Sequence, residues 1–323
     1  MSEPVPSFND QAIAKLILDV YGIKGEILPL VSYEDQNARI KTANASYVLK
    51  IANKKWSSEF MQMQTDVLEY LKISAPELIF PVVIKSLTGD TMTTVDGFTV
   101  RLLTYLEGNL LTNTPRTSQL YKNIGRFLGQ YSKAMQDYPH AVTEGSDELW
   151  KLDNVMACKV YLSDITDQDG RDRIERLYAV YQKNILPELS QLRKGLIHGD
   201  ANEQNLLINP DQPSKIAGLI DFGELQFSSQ INELAITLAY ALLGENDIAM
   251  ASANMIEGYD CEFKLEEKER EILYYLMAMR LVTSITMSSH GAKLYPDNEY
   301  ILIAQKPALA LLKKLEDEKY ILG

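Results

Sequence analysis

The pattern of apolar and polar residues changes its period along the chain, and this change divides the chain into two parts. In the first part, two stretches with helical spacing alternate with short apolar runs that are typical of strands. The helical stretches cover residues 8–21 and 56–72, and the strand-like runs cover 26–52 and 98–103. The pattern therefore predicts a small α+β lobe over residues 1–104.

The rest of the chain, residues 105–323, is mainly helical in its pattern. Helical periods cover residues 117–137, 171–192, 230–243, 265–288 and 299–319. In the stretch 195–222, short apolar runs instead alternate with polar turns, which is typical of short strands within a helical lobe. The predicted fold class is therefore α+β with two lobes: a small N-terminal lobe with an antiparallel sheet, and a larger, mainly helical C-terminal lobe.

The size and charge of the chain limit the classes of function. A length of 323 residues suggests two domains, or two lobes that share a cleft. The formal net charge of −12 argues against a protein that binds nucleic acid or an anionic membrane. The negative balance either keeps the protein soluble or favours a cationic substrate, and both interpretations stay open.

Cysteine and histidine residues are few, and none of them shows a spacing typical of metal ligands. A structural zinc site is therefore not expected, and the two cysteines fit a reduced setting. The N-terminus has no basic segment followed by an apolar run, and no apolar stretch is long enough to span a bilayer. We therefore expect a cytoplasmic protein.

Two polar turns, each following a short apolar run, carry the candidate chemistry. The first contains His198–Asp200 and then Asn205, and the second is Asp221–Gly223. Taken singly, these acids and amides are ordinary turn or cap residues. Taken together, they match phosphoryl transfer, which needs one acid to orient the attacking hydroxyl, and another acid and an amide oxygen to hold Mg²⁺. We predict the first role for Asp200, and the second for Asn205 and Asp221.

His198 has three candidate roles at the start of the first turn. It could bind a metal, act as a general base, or hold the loop by hydrogen bonds. No second residue of metal-ligand type neighbours it. We therefore expect the structural role.

A lysine in the first part of the chain is a candidate for binding phosphate. Lys50 interrupts the apolar strand Tyr47–Ile51, which indicates either a solvated strand edge or a lysine that reaches the α and β phosphates, as in kinases. Glu59, on the following helix, is the obvious acid to orient this lysine. Gln62 and Glu69 are alternatives.

A polar loop near the start of the chain is the candidate phosphate cover. No Walker A pattern and no G-x-G-x-x-G pattern occurs, so another segment must serve this purpose. Ser32–Asn37 lies between two strand-like runs, where a hairpin loop can present backbone N–H groups to phosphate. A plain solvated turn is the alternative interpretation. In the first case, Ser32 and Asn37 bind the nucleotide.

These motifs resemble those of the aminoglycoside phosphotransferase/choline kinase superfamily, which has a protein-kinase-like fold. The resemblance covers nearly the whole chain and is carried by His198–Asn205 and Asp221–Gly223. It implies ATP and Mg²⁺ as cofactors. It also implies that Lys50 is the nucleotide-binding lysine, and that Tyr105 and Leu106, in the segment Thr104–Gly108, belong to the hinge that meets adenine.

Within this superfamily, the chain is similar to hydroxylysine kinases and to phosphotransferase domains associated with class III aminotransferases. The similarity is carried by Ser32–Asn37, Val100–Leu106, Asn232–Ile236 and Arg280–Ser284. It implies that the substrate is a small metabolite with a hydroxyl and an amine, of the hydroxylysine, homoserine or amino-alcohol type. Three residues are candidates for the substrate pocket, with packing as the alternative: Trp150, Glu233 and Arg280.

The predicted function is therefore ATP-dependent phosphorylation of a hydroxyl on such a metabolite. Only a few residues separate Gly223 from the helix that opens near Gln230, which leaves no room for a peptide-docking activation segment. An aminoglycoside phosphotransferase and a non-catalytic nucleotide-binding regulator are the alternatives. No nucleic-acid or membrane partner is expected, and the sequence does not indicate an oligomeric state.

Overall fold

The computed structural model describes residues 5–32, 35–139, 149–295, 302 and 304–322. Within these residues the chain forms two compact units. Unit 1 contains the described residues up to Gly108 together with Ala217–Ile220, and unit 2 contains the other described residues. The sequence pattern favours a boundary after residue 104, whereas the first boundary between the units lies after Gly108. The inclusion of Ala217–Ile220 in unit 1 has no counterpart in the pattern.

Unit 1 combines an antiparallel sheet with helices at the two places where the apolar period predicts them. The helices are α1 (Asp10–Tyr21) and α2 (Ser58–Ser74), and the strands are β1 (Glu26–Leu30), β2 (Gln36–Lys41), β3 (Ser46–Ile51), β4 (Val83–Ile84), β5 (Thr93–Val95) and β6 (Phe98–Thr104). The strand order is β1-β2-β3-β6-β4, and β5 also pairs with β6. Both helices begin at a side-chain cap, which explains where they start: Asn9 accepts the Ala12 N–H, and Ser57 accepts the Phe60 N–H.

The two faces of this sheet differ in chemistry because successive side chains of a strand point to opposite faces. Apolar side chains on one face form the core of unit 1 with α1: Ile13, Leu16, Ile17, Tyr21, Ala38, Ile40, Leu49, Ile51, Val100 and Leu102. The residues between them form a polar row across β2, β3 and β6. In this row Asn37 pairs with Lys50, and Lys50 pairs with Arg101. The lysine singled out in the sequence therefore lies on the face opposite the core.

Unit 2 is mainly helical. Its helices are α3 (Ser118–Met135), α4 (Gln168–Val180), α5 (Ile231–Ala241), α6 (Ile248–Glu262), α7 (Glu267–Leu294) and α8 (Gln305–Asp317). The period predicted over 171–192 is α-helical only as far as Val180 and continues as π and 3₁₀ turns to Gln191. The period over 299–319 begins partly outside the described residues. Across the part of the chain that is described, no helix pairs enough length with enough hydropathy to cross a lipid bilayer.

Helix α6 and the 3₁₀ segment Leu152–Asp164 are not indicated by the apolar pattern. Helix α6 lies so close to α3 that a Cβ at Gly125 would overlap the Met255 carbonyl, and one at Gly258 would overlap the Lys122 carbonyl. Glycine weakens an isolated helix. Because Gly258 lowers the helical signal of its segment, the pattern does not predict α6, although the close packing of α6 on α3 requires this glycine.

Short strands are inserted among these helices, as the stretch 195–222 predicts. They are β7 (Asn109–Leu110), β8 (Lys194–Ile197), β9 (Leu206–Ile208), β10 (Ile216–Leu219) and β11 (Gln226–Ser229). All of β10 except Ile216 belongs to unit 1. Strand β7 pairs antiparallel with β9, and β8 pairs antiparallel with β11. Strand β11 was not predicted, and it occupies most of the interval between Gly223 and α5.

Candidate active site

The loop over residues 198–205 joins β8 to β9 and contains the first polar turn. The chain turns at Gly199, whose φ of 78° lies in the left-handed region. A Cβ at this position would overlap the Glu224 carbonyl and would lie 2.5 Å from Nε2 of Gln226. Glycine meets both conditions because it has no side chain. The turn at Gly199 places Asp200 just beyond the buried end of β8.

His198 is completely buried beneath this loop. Its ring meets the Phe222 ring edge to face, with centroids 4.8 Å apart, and its Nδ1 accepts the Asp200 N–H at 3.3 Å. These contacts tie the ring to the two polar turns at once. They support the structural role over the metal-ligand and general-base alternatives.

Glu233 on α5 holds the backbone of the same loop from below. Its Oε2 accepts the N–H of His198 at 2.6 Å and also the N–H of Gly199. The side chain is fully buried, and burial raises the pKa of this carboxyl to about 7, against the opposing effect of the two N–H donors. Glu233 therefore supports the loop, and its place in a substrate pocket stays a prediction.

Asp200 receives hydrogen bonds from three side chains. Asn202 Nδ2 donates to its Oδ1 at 3.0 Å, and Asn205 Nδ2 donates to its Oδ2 at 2.9 Å and to its carbonyl at 2.8 Å. Arg280 on α7 donates through Nη2 to Oδ1 at 3.2 Å. The carboxylate is thus held in one orientation by groups from the loop and from a distant helix.

The carboxyl of Asp200 is poised to exchange a proton near neutral pH. Its side chain is 23% exposed, so a substrate can reach it. Burial nevertheless raises the pKa of Asp200 to about 7; the Arg280 cation lowers it and the Asp221 anion raises it. A pKa in this range suits a group that accepts a proton during the reaction.

Asn205 and Asp221 have the donor chemistry that Mg²⁺ prefers. Both hydrogen bonds of the Asn205 amide nitrogen point to Asp200, which turns the amide oxygen away from that carboxylate. The Asp221 side chain is exposed, and its charge is close enough to raise the pKa of Asp200. Among the described residues, no group of three or more His, Cys, Asp or Glu side chains forms a metal cage. An amide oxygen and a carboxylate fit Mg²⁺, which typically takes one or two protein ligands together with phosphates.

The backbone of Asp221 adopts a conformation that aspartate seldom takes. Its φ is 63° and its ψ is 79°, in the left-handed region. This conformation costs an L-residue roughly 1–2 kcal/mol. Such strain persists where the surrounding structure requires it, often at functional sites.

In unit 1, Arg101 connects the polar row of the sheet to α2. The arginine is buried, and it donates through Nη2 to Gln64 Oε1 at 2.7 Å and through Nη1 to the Met61 carbonyl at 3.3 Å. Arg101 is the direct cross-strand partner of Lys50. The sequence interpretation missed the contact of Arg101, in the polar row of the sheet, with Gln64 of α2. Finding this contact requires the register of β3 against β6, which the sequence does not show.

The acid candidates on α2 lie on its solvent side. Glu59, in the first turn, and Glu69 are exposed, and Gln62 donates to Asp66 Oδ1 at 2.7 Å. Lys50 itself is half-buried. The pairing of Glu59 with Lys50 stays a prediction, and Gln64 occupies the inward position of this helix.

The predicted phosphate loop is anchored at its end. Residues 33 and 34 lie outside the described residues, while Ser32 donates to the Asp35 carbonyl. The Asp35 carboxylate accepts the Asn53 N–H at 2.9 Å and the Trp56 indole N–H at 3.2 Å. The Oδ1 atom of Asn37, in the polar row, is buried and has no hydrogen-bond partner among the described residues.

The predicted hinge residues are ordered by contacts within unit 1. The Tyr105 N–H donates to the Ser46 carbonyl at 3.0 Å, and the Arg39 guanidinium lies 3.8 Å from the centre of the Tyr105 ring. The Leu106 side chain lies against Gly218, with Cδ1 2.7 Å from where a Cβ of that glycine would be. Both residues are half-buried. Their contact with adenine stays a prediction.

Arg280 is the functional residue whose position the sequence did not indicate. Its place in the substrate pocket stays a prediction, and the structure brings its guanidinium to Asp200. Its other donors reach the Trp150 carbonyl at 2.7 Å and the Tyr240 hydroxyl at 3.1 Å. Arg280 and Asp200 are 80 residues apart in the chain, so no local motif could have linked them.

The buried carboxyl of Glu233 predicts a pH-dependent stability. Between about pH 4.5 and pH 7 the folded state retains a proton that the unfolded carboxyl has released, so the contribution of Glu233 to stability falls as the pH rises. In Glu233→Gln this group no longer titrates. From pH 5 to pH 8, we expect the free energy of unfolding of the variant to rise relative to wild type by about 2 kcal/mol.

Urea unfolding of both proteins at a series of pH values measures this difference. Thr237→Val is a matched control, because Thr237 is buried on the same helix and donates to the Glu233 carbonyl without titrating. Its difference from wild type should be constant with pH. A constant difference for Glu233→Gln as well would contradict the raised pKa.

Comparison with known proteins identifies related sequences over nearly the whole chain. A model of the phosphotransferase enzyme family matches residues 26–271. Hydroxylysine kinase of Xenopus laevis is 29% identical over 339 residues, which cover 97% of this chain and 91% of that protein. Hydroxylysine kinase of Mus musculus is 27% identical over 343 residues, which cover 97% and 90%.

Solved structures resemble the fold of this chain. An amicoumacin kinase in complex with AMP-PNP, Ca²⁺ and its ligand Ami has a TM-score of 0.70 at 16% identity, covering 96% of this chain and 94% of that one. A microcompartment-associated aminopropanol kinase has a TM-score of 0.67 at 15% identity, covering 96% and 98%. Identities this low show a likeness of fold alone. They confirm the predicted α+β, kinase-like fold.

Proposed function

This chain belongs to the phosphotransferase enzyme family and is a small-molecule phosphotransferase, and we propose that it transfers a phosphoryl group from ATP to a hydroxyl of a small amino-bearing metabolite. The family membership confirms the resemblance that the motifs indicated. The observation that carries the proposal is the arrangement of Asp200, Asn205 and Arg280. A carboxylate with a raised pKa is held there in a fixed orientation and is still accessible.

We assign to Asp200 the task of orienting the acceptor hydroxyl. The carboxylate accepts a hydrogen bond from the hydroxyl, the hydroxyl oxygen forms the new bond to phosphorus, and ADP leaves. The hydroxyl proton passes to the Asp200 carboxylate. Because the transition state of phosphoryl transfer is loose, orientation contributes more than basicity. The three donors to Asp200 are suited to that task.

Asn205 and Asp221 are the residues that we propose as Mg²⁺ ligands. When bound, the ion would supply positive charge that neutralises the charge developing on the transferred phosphoryl group. Asn205 would contribute its amide oxygen, which faces away from Asp200, and Asp221 its exposed carboxylate. The left-handed backbone at Asp221 is compatible with this assignment, because strained conformations often occur at functional sites.

In unit 1, we propose that the nucleotide is bound by the polar row and by the predicted hinge. Lys50 would bind phosphate oxygens, and Asn37 has a buried amide oxygen that lacks a hydrogen-bond partner among the described residues. Ser32 would contribute from the phosphate loop. Tyr105 and Leu106 would meet the adenine ring. Glu59 is exposed, so it would have to reorient in order to pair with Lys50.

The amino-bearing substrate class is supported by the names of the relatives and by the charge of the protein. The similar proteins are named as hydroxylysine kinases, and one similar structure as an aminopropanol kinase. The net charge of −12 is compatible with a cationic substrate. Only the short 3₁₀ turn Phe222–Glu224 and strand β11 lie between Asp221 and α5, which leaves no room for a peptide-docking segment. We propose the cytoplasm as the location, which suits the free thiols of Cys158 and Cys261.

An ATP-consumption screen tests this function. The purified protein with Mg·ATP is offered hydroxylysine, homoserine, ethanolamine, aminopropanol and a panel of aminoglycosides, and ADP release is coupled to NADH oxidation. We expect turnover with at least one hydroxy-amino acid or amino alcohol, together with a phosphorylated product identified by mass spectrometry. Turnover with aminoglycosides alone would favour the antibiotic-modifying alternative. ATP binding without turnover on any acceptor would favour the regulator.

A further inference from the structure

We propose that Arg280 is a positioning residue for the reaction. From helix α7, outside the loop over residues 198–205, it holds the Asp200 carboxylate in the orientation that the reaction needs. The inference rests on the proposed role of Asp200. Its carrying observation is the 3.2 Å contact from Arg280 Nη2 to Asp200 Oδ1. The side chain of Arg280 is only 4% exposed, so its charge is almost removed from water.

The guanidinium of Arg280 is itself fixed at three points. Its Nε donates to the Tyr240 hydroxyl at 3.1 Å, its Nη1 to the Trp150 carbonyl at 2.7 Å, and its Nη2 to Asp200. The cation also lies 5.3 Å from the centre of each of the Trp150 and Tyr240 rings. A planar guanidinium held in this way cannot turn without losing several contacts at once. It therefore sets the position of the carboxylate oxygen that it contacts.

Three side chains donate hydrogen bonds to the two oxygens of the Asp200 carboxylate. Asn205 holds Oδ2 at 2.9 Å, while Arg280 shares Oδ1 with Asn202. Asn202 and Asn205 belong to the same short loop as Asp200 and move with it. Arg280 lies on α7, whose middle is buried. It therefore links the carboxylate of Asp200 to a helix in the core of unit 2. Loss of Arg280 would leave the orientation of Asp200 to its own loop.

Among the described residues, Arg280 is the cation whose charge acts on Asp200. The carboxylates whose charges act on Asp200 or Arg280 include Asp221, Glu203 and Glu224. A buried carboxylate among other acids is costly unless it is paired with a cation. The pair is therefore expected to matter for the stability of the site as well as for its geometry.

Steady-state kinetics of Arg280→Met and Arg280→Lys test the proposal with the acceptor found in the screen. We expect Arg280→Met to lower kcat by about 10²-fold, the loss that small displacements of reacting groups cause. The ATP dissociation constant should stay within about twofold of wild type. Arg280→Lys should recover part of kcat, because it keeps the charge but not the planar geometry. Arg193→Met is the matched control: it breaks the Arg193–Glu269 pair in the same unit, and should lower the Tm without lowering kcat.

A thermal-unfolding cycle tests the pair without any activity. Asp200→Asn should lower the Tm in the wild-type background, because it leaves the buried Arg280 without its carboxylate. In the Arg280→Met background the same change should raise the Tm, because it removes an uncompensated buried charge. This reversal of sign would not follow if the two residues merely occupied the same region.

The outcomes separate this inference from the proposed function. Wild-type protein that turns over no acceptor would overturn the proposed function, and the thermal cycle would still decide whether Arg280 holds Asp200. Arg280→Met that keeps kcat within about threefold of wild type would overturn the inference alone. So would a Tm that falls on Asp200→Asn in both backgrounds. If both variants lost kcat and ATP affinity together, and to the same extent, Arg280 would have a structural role only.

Discussion

Replacing Asp200 with asparagine is expected to lower kcat by about 10³-fold, while ATP binds with nearly unchanged affinity. Asparagine has the size of aspartate, but it cannot accept the proton of the substrate hydroxyl. Its amide nitrogen would also face one of the donors that now point at the carboxylate from Asn202, Asn205 and Arg280. The ADP-release assay with the best acceptor measures kcat, and isothermal titration measures the binding of ATP.

A second acid to amide change shows whether this loss is specific. Asp211→Asn removes one negative charge from an exposed turn after β9 and should leave kcat within about twofold of wild type. If Asp200→Asn had the kcat of wild type, another residue would have to orient the hydroxyl. If it lost ATP affinity and turnover together, the carboxylate would serve mainly to hold the loop.

Replacing Asp221 is expected to raise the Mg²⁺ concentration needed for half-maximal turnover by at least about 10²-fold. Even partners in the outer shell of a metal site commonly cost 10- to 100-fold in affinity, and Asp221 is proposed as a direct ligand. Asp221→Asn is the sharpest variant, because asparagine also tolerates the left-handed backbone while it lacks the charge. Magnesium titration of turnover, and electron paramagnetic resonance of Mn²⁺ bound with nucleotide, measure the effect.

The backbone of Asp221 provides an internal control for this experiment. Asp221→Gly and Asp221→Ala both remove the carboxylate, but only glycine adopts a φ of 63° without strain. We expect the glycine variant to be more stable than the alanine variant by about 1 kcal/mol, while the Mg²⁺ concentration needed for half-maximal turnover rises equally in both. An Asp221→Ala variant with normal Mg²⁺ dependence would show that the ion is held elsewhere. Equal stabilities would show that the left-handed conformation is not retained.

Much of the fold could be predicted because its signals are local. Apolar residues at helical spacing indicated α1, α2, α3, α5 and α7, and caps such as Asn9 and Ser57 place two of these helix starts. The alternation in β3 indicated that Lys50 differs from its apolar neighbours, and it does lie on the face opposite the core. The catalytic loop was recognisable because its acid and amide lie within a few residues of each other.

Other features depend on residues that are distant in the chain. Helix α6 was missed because its glycine, Gly258, is needed only where α3 passes close by. Arg101 and Gln64 were missed because their contact joins a strand and a helix 37 residues apart. The pairing of Glu59 with Lys50 stays a prediction; Glu59 is exposed on α2, whereas Gln64 of the same helix is buried.

The sequence by itself determined the family, the kinase-like fold class and the identity of the polar turns, because short-range periodicity and compact motifs carry that information. Only the tertiary structure decided how Asp200 is held. The carboxylate meets Arg280 from α7, and the loop backbone rests on Glu233 from α5. No residue near the motif in the sequence indicates these contacts. The burial of Arg280 against Asp200, and of Glu233 under the two N–H groups, depends on how α7 and α5 pack against the loop.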